Sequence, residues 1–192
     1  MKFLKYLLYL IILLTIIFYA MGLINPEITY DCEVTVDKSA AESWAVMSDE
    51  ENLPQWIDGY LRSELVSGEA NAVGAVSNVY VAEGESEVMM TETITDALPH
   101  KLMAMKFSMD FMDMDYKMEF EEEGGKTHIK THSVTTGNGM IARSILSFMP
   151  SAMKSQEQKN LNSLKALIDQ NTKDYFKTEA TTEIDSIGSD LD

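Results

Sequence analysis

From Tyr60 to Thr136 the apolar residues of this chain tend to recur at every second position, and one change of phase inside that stretch dictates how the strands fold. Met103, Met105, Phe107 and Met109 occupy odd positions, whereas Met114, Tyr116, Met118 and Phe120 occupy even ones. A period of two sets alternate side chains on one face of a strand. Both runs face the same interior only if the chain reverses within Asp110–Asp113. The stretch therefore reads as an antiparallel meander: YLRSELVSG, GAVSNVYVAEG, EVMMTETITDAL, KLMAMKFSM, DYKMEFEEE and KTHIKTHSVTT. Gly68–Gly74, Pro99-His100 and Gly124-Gly125 punctuate it.

The flanks are mostly helical. Ile28 to Val36 alternates and is rich in β-branched residues, which predicts a first strand. Ser39 is placed to cap a short helix with Ala40, Trp44 and Met47 on one face, and a second short piece brings Leu53, Trp56 and Ile57 inward. After Gly139 the period becomes helical: Met140–Met149 forms a short amphipathic segment and Pro150 forces a fresh start. A long final helix then carries Met153, Leu161, Leu164 and Ile168 on one stripe, interrupted by the polar run Gln156–Asn160. The class is α+β: a curved antiparallel sheet of about six to seven strands wrapped around the C-terminal helix, with room for a ligand cavity between them.

Ahead of this domain lies MKFLKYLLYLIILLTIIFYAMGLI. Tyr6–Ile24 holds 19 residues without a charge, a helix of roughly 28 Å, about the hydrocarbon thickness of a bilayer. Lys2 and Lys5 precede the run and Glu27, Asp31, Glu33 and Asp37 follow it. The positive-inside rule predicts a single-pass cell-membrane anchor with a cytoplasmic N-terminus and an exported domain, periplasmic or extracellular. A cleaved signal peptide is the competing reading. Ala20-Met21-Gly22 supplies small residues for cleavage, but the apolar run exceeds the ~7–15 residues usual for a signal. The expected organisation is an anchor over 1–25, the domain over 26–171 and an acidic, disordered tail over 172–192.

Beyond the anchor, 13 basic residues face 31 acidic ones, a net charge of −18. That charge repels phosphate backbones and excludes nucleic acid as the expected partner, while a buried apolar pocket is indifferent to it. The single cysteine, Cys32, has no partner for an internal disulfide and reads as a small core residue.

The strings VDKSAAESWAVMSDEENLPQWIDGY, TETITDALPHKL, YKMEFEEEGGKTHIKTH and NLNSLKALI, with Val73-Gly74 entering a strand, resemble in order and spacing the START-like helix-grip superfamily (SRPBCC). The likeness is to its polyketide cyclase/dehydrase and lipid-transport branch and covers roughly residues 28 to 170. The resemblance implies a deep apolar cavity between sheet and final helix that takes lipids, sterols, quinones, polyketides or hormones. It implies no one reaction.

Of the 14 methionines, eight lie between Met89 and Met118. Methionine is flexible and polarizable, suited to a wall that adapts to varied apolar guests. The candidate pocket is Met103, Met105, Phe107, Met109, Met114, Tyr116, Met118 and Phe120 from the sheet, closed by Met153, Leu161 and Leu164 from the helix. The plainer alternative is that the same side chains simply fill the core. Trp44 and Trp56 read as core anchors.

No GxSxG, HExxH, CxxC or glycine-rich phosphate loop is present. No catalytic residue is assigned. Arg62, Asn78, Tyr80, Glu92 and Tyr116 are the polar strand residues that a cyclase or dehydratase chemistry would draw on if they faced inward. His128 and His132 are four apart on a strand, roughly 13 Å, too far to share an ion, and belong with Lys130 on the face opposite Ile129. His100 sits in a turn. Asp110, Asp113 and Asp115 lack the glycine and closing glutamate of a calcium loop and read as a solvated hairpin. Neither a metal nor a cofactor is expected. The expected role is membrane-tethered binding or transport of a hydrophobic small molecule or lipid. An enzyme, or an interaction module with a filled core, are the alternatives.

Overall fold

The structure, a computed structural model, describes residues 2–176. Helix α1 (Lys2–Ile24) is followed by β1 (Glu27–Val36), α2 (Ala40–Ser48), a single 3-10 turn (Glu50–Asn52) and α3 (Leu53–Trp56). Then come β2 (Tyr60–Ser67), β3 (Val76–Glu83), β4 (Ser86–Leu98), β5 (Leu102–Ser108), β6 (Met112–Glu123) and β7 (Lys126–Gly137), and finally α4 (Met140–Leu146) and α5 (Pro150–Asp169). All seven strands form one antiparallel sheet in the order β1-β7-β6-β5-β4-β3-β2. The meander is continuous from β2 to β7, and β1 returns to pair with β7.

Local chemistry sets the ends of the short elements. Ser39 caps α2 by accepting from the Glu42 amide at 3.2 Å. Pro54 stands in the first turn of α3 and Pro150 opens α5, positions where no backbone donor is lost. The chain reverses between β5 and β6 where the phase of the methionines changes, with the Met109 amide donating to the Met112 carbonyl. His100 adopts φ 65° in the β4–β5 turn, a left-handed conformation uncommon outside glycine.

Strand β4 departs from simple alternation. Ile94 pairs with Met105 and Ala97 with Met103, so a bulge near Thr95 turns both Ile94 and Ala97 to the inner face. There they pack with Met103 in a satellite of the core.

The main core lies between the sheet and α5. Leu161, Leu164 and Ile168 are fully buried against Ile28, Tyr30, Val36, Met118, Phe120 and Ile129. Helix α5 packs most extensively on β1 and also leans on α2 and α3, so it covers one side of the sheet more than the other. Trp56 is buried, while Trp44 is half-buried with its indole edge-on to Phe120, ring centroids 5.5 Å apart. Past α5, at the start of the segment read as a tail, Lys173 and the Tyr175 hydroxyl both bond Asp49, at 2.7 and 2.9 Å. Residues 177–192, the bulk of that acidic stretch, lie outside the described residues.

Leu164 fills the centre of this helix–sheet contact, and truncating it leaves a void the sheet cannot close. Leu164→Ala is expected to cost about 2–5 kcal/mol in urea unfolding, whereas Leu61→Ala, at a half-exposed position on β2, changes stability by less than about 1 kcal/mol.

Candidate functional site

Strand register decides which of the predicted side chains meet. On β5, Met103, Met105 and Phe107 pair with Met118, Tyr116 and Met114 of β6, so all six share the inner face. Phe120 follows on the same face, and Met109 continues it into the β5–β6 turn. From α5, Met153 packs against this cluster and Leu161 and Leu164 lie within it.

Burial along these strands is graded. At the end beside α2, Met103, Met118 and Phe120 are 3 %, 1 % and 4 % exposed. Toward the end where β7 runs into α4, Phe107, Met109, Met112 and Met114 are half-buried, and Met105 lies between. Strand β4 repeats the trend, with Ile94 buried and Glu92 and Met90 half-buried. The inner face is thus close-packed at the far end and only partly covered at the α4 end, and this partly covered, mainly apolar stretch is the trough. Two concavities lie elsewhere. One, of about 550 Å³, is a notch on α1 lined by Leu4, Lys5, Leu7, Leu8 and Ile11. The other, of about 490 Å³, runs along the β1 side among Glu33, Glu119, Lys130 and Lys154, a charged lining unsuited to an apolar guest.

A polar seam crosses the apolar wall. Glu157 extends the Met153, Leu161, Leu164 stripe of α5 by one turn of spacing and so points at the sheet, where the Tyr116 hydroxyl donates to its Oε1 at 2.8 Å. Burial, followed by the Tyr116 and Thr131 hydroxyls acting the other way, leaves the Glu157 carboxyl raised above its ordinary value. Burial and the neighbouring Glu157 charge push the Tyr116 phenol well above its own. On β7 the inner-facing hydroxyls of Thr131, Ser133 and Thr135 are buried and make no hydrogen bond of good geometry among the described residues, although Thr131 lies close enough to Glu157, and Ser133 to Tyr30, to lower their pKa. Tyr30 completes the seam. Its hydroxyl lies 4.0 Å from Met114 Sδ, and burial raises its pKa. Each unpaired buried hydroxyl costs on the order of 1–3 kcal/mol relative to a paired one. Three in a row on one strand face form a polar strip in an otherwise apolar wall.

The remaining enzyme candidates divide by face. Glu92 pairs with Phe107 and faces inward, and burial alone raises its carboxyl. Arg62, Asn78 and Tyr80 lie on the outer face, because Arg62 pairs with Tyr80, Glu64 with Asn78, and Ser63 with the buried Val79. There Arg62 holds Glu87 through two bonds of 2.7 and 3.0 Å and stacks 3.7 Å over the Tyr80 ring. That cluster is a surface brace, remote from the trough.

His128 and His132 also face outward, bonded to Thr35 at 2.9 Å and Asp31 at 2.7 Å. Among the described residues no three carboxylate, histidine or cysteine side chains converge as a metal site. Cys32 is buried, its thiol 3.6 Å from the Lys154 carbonyl, with burial raising its pKa. Glu157 and the β7 hydroxyls are the site residues that sequence reasoning passed over. Spacing carried the signal for Glu157, since 153, 157, 161, 164 and 168 lie on a single helical stripe.

A seven-stranded antiparallel sheet gripping a long C-terminal helix, with short helices after the first strand, defines the START-like helix-grip class. Residues 27–169 match the family described as polyketide cyclase / dehydrase and lipid transport, and the chain belongs to that family. No curated protein matches it by sequence. Solved structures do by fold. Ara h 8.0201 superposes with a TM-score of 0.60 at 18% identity, covering 76% of this chain and 99% of its own. A Thermus thermophilus protein gives 0.59 at 16% identity, covering 74% of this chain and 97% of its own. The di-domain ARO/CYC StfQ of the steffimycin biosynthetic pathway gives 0.61 at 10% identity, covering 74% and 51%. Identities this low establish the shared fold and not a shared reaction.

Because burial alone raises the Glu92 carboxyl, the folded state holds its proton to higher pH than the unfolded chain does. The group is neutral in both states below its ordinary value of 4.5, and its ionisation costs stability as pH rises through the raised folded value. Glu92→Gln is therefore expected to raise the melting temperature at pH 7 to 8, with the gain shrinking as pH falls and vanishing below about 4, read by thermal unfolding across that range.

Proposed function

We propose that this protein binds a hydrophobic small molecule or lipid in the trough between the sheet and α5, while α1 holds the domain at a membrane. The observation that carries the reading is the burial gradient: methionines and Phe107 that are half-exposed on an inner face, at the one end of the domain where α1 is attached. Membership of the polyketide cyclase / dehydrase and lipid-transport family supports a ligand-binding or cyclase-like role. Apolar surface leaving water contributes about 25 cal/mol per Å². Methionine side chains at Met105, Met109, Met114 and Met153 adjust to the shape of the guest at little strain. The pocket proper would be those residues with Phe107 and Tyr116. Met103, Met118, Phe120, Leu161 and Leu164 would form its closed floor. Tyr116, Glu157 and the β7 hydroxyls would receive a hydroxyl, carbonyl or carboxyl-bearing end of an otherwise apolar molecule.

The Tyr116–Glu157 pair also favours a second reading, acid–base catalysis on a bound polyketide-like substrate. A phenol bonded to a buried carboxyl is able to deliver or take a proton within the trough. Conversion of a ligand, abolished by Tyr116→Phe with binding intact, would identify that role.

The anchor completes the proposal. Helix α1 is long and apolar enough to cross a bilayer. The lysines at its start would keep the N-terminus in the cytoplasm and export the domain. Protease added to spheroplasts is expected to remove the domain and leave a protected fragment of a few kilodaltons. A domain protected until lysis would overturn the orientation.

Ligand binding is tested on the full chain in vesicles doped with a diazirine-bearing fatty acid, irradiated and mapped by mass spectrometry. Adducts are expected on Phe107, Met109, Met114 and Met153. Phe107→Glu should lower their yield about tenfold, the equivalent of ~1.4 kcal/mol, and Arg62→Ala on the outer face should leave it unchanged. Adducts confined to α1 would sink the carrier reading.

A further inference from the structure

Helix α4 has an apolar face that no part of the described domain covers. Ile141 and Phe148 are 58 % and 61 % exposed, and Met140, Ile145 and Met149 are all exposed as well. Phe111, in the β5–β6 turn, is exposed beside them, its carbonyl accepting from the Asn138 amide at 2.8 Å. The single formal charge between 140 and 149 is Arg143, and its guanidinium is turned away to donate to the Gly137 carbonyl at 3.2 Å. Scattered apolar residues need no explanation, but a contiguous group this size does.

The place of this face in the fold says what covers it. Helix α4 is clamped between the last turn of α1 and the end of β7 by two close approaches. A side chain at Gly22 would meet Ser144 at 2.5 Å, and one at Gly137 would meet the Arg143 amide at 2.5 Å. Farther along, Phe18 of α1 stacks on Phe148, with ring centroids 6.4 Å apart and planes 8° from parallel. The apolar run of α1 ends at Ile24, and its ~28 Å length places Gly22 at the far edge of the hydrocarbon. A helix crossing α1 there lies at the height of the headgroup boundary, where amphipathic helices bury an apolar face by ~5–10 Å. Leu23 and Ile24, next along α1 from Gly22, are exposed as well.

We infer that α4 and the following Phe148-Met149 turn lie in the bilayer interface as a second membrane contact, continuous with α1, with lipid as the occupant of this face. The inference rests on the proposed membrane reading of α1. It fixes the domain's attitude. The half-exposed end of the trough lies beside α4, since the Asn138 side chain, one residue beyond β7, donates to the Met109 carbonyl at 2.9 Å. Phe107, Met109 and Met114 then open toward the acyl chains, so a guest passes between bilayer and trough without crossing water.

The test uses the full chain reconstituted in phosphatidylcholine vesicles, with a nitrobenzoxadiazole label on a single introduced cysteine. Native Cys32 is buried, and the parent protein serves to show that it takes no label. Labels go to Phe148→Cys and Ile141→Cys on the α4 face, Leu13→Cys at mid-span of α1, and Glu123→Cys at the end of β6, beside the far β6–β7 turn. The α4 labels are expected to emit blue-shifted and to lose about half or more of their emission to a shallow doxyl lipid, and less to a deep one. The Glu123 label should ignore both, and the Leu13 label should respond most to the deep quencher. Emission at 148 and 141 matching that at 123 overturns the inference while leaving the anchor intact. A blue shift without lipid quenching, the sign of a protein partner on this face, also overturns it. Failure of the Leu13 label to respond removes the anchor and the inference with it, a distinguishable result.

Discussion

One helix lying off-centre on a concave sheet sets the character of the whole molecule. Seven strands present more inner surface than α5 covers, and α5 packs chiefly on β1, the strand at one edge. Where the coverage is complete, the interior reaches the close packing expected of a core, with Met118, Ile129, Leu161, Leu164 and Ile168 essentially without solvent contact. Toward β4 and β5, and toward the α4 end, the same inner face carries half-buried methionines and Phe107. The trough follows from that imbalance.

Against that apolar background the buried polar groups form a pattern. Tyr116 bonds Glu157, while three hydroxyls of β7 line one strand face without a hydrogen bond of good geometry among the described residues. Interiors rarely leave such groups unpaired. They lie on β7, whose inner face is buried along its length, opposite Met118, Tyr116 and Met114 of β6. The glutamates add a second consequence. Glu92 and Glu157 both sit where burial disfavours their charge, so the domain holds two carboxyls that lower its stability at neutral pH. Groups retained at a cost to stability are commonly the functional ones.

Much of this was legible in the chain itself. The period of two, the phase switch between Met109 and Met114, the capping Ser39 and the restart at Pro150 all predicted elements that the fold contains, because each depends on chemistry within a few residues. The outer-face placement of His128 and His132 followed from strand parity alone. Parity did not settle Arg62, Asn78 and Tyr80, since bulges shift the register in β2 and β4 and a one-residue shift turns every later side chain over. Glu157 was hidden for a different reason. A polar residue inside a polar run looks solvated until the helix is seated on a sheet.

The order of helices and strands, the apolar length of α1 and the methionine-rich inner faces are properties of the sequence alone, fixed by local periodicity and composition. Which of those methionines are buried and which half-exposed was decided only in three dimensions, by where α5 comes to rest on the sheet. The crossing of α1 and α4 at Gly22 and Ser144 is likewise tertiary. It depends on two backbones, far apart along the chain, approaching more closely than any side chain but hydrogen would permit at that glycine. No pattern within either segment encodes such a meeting.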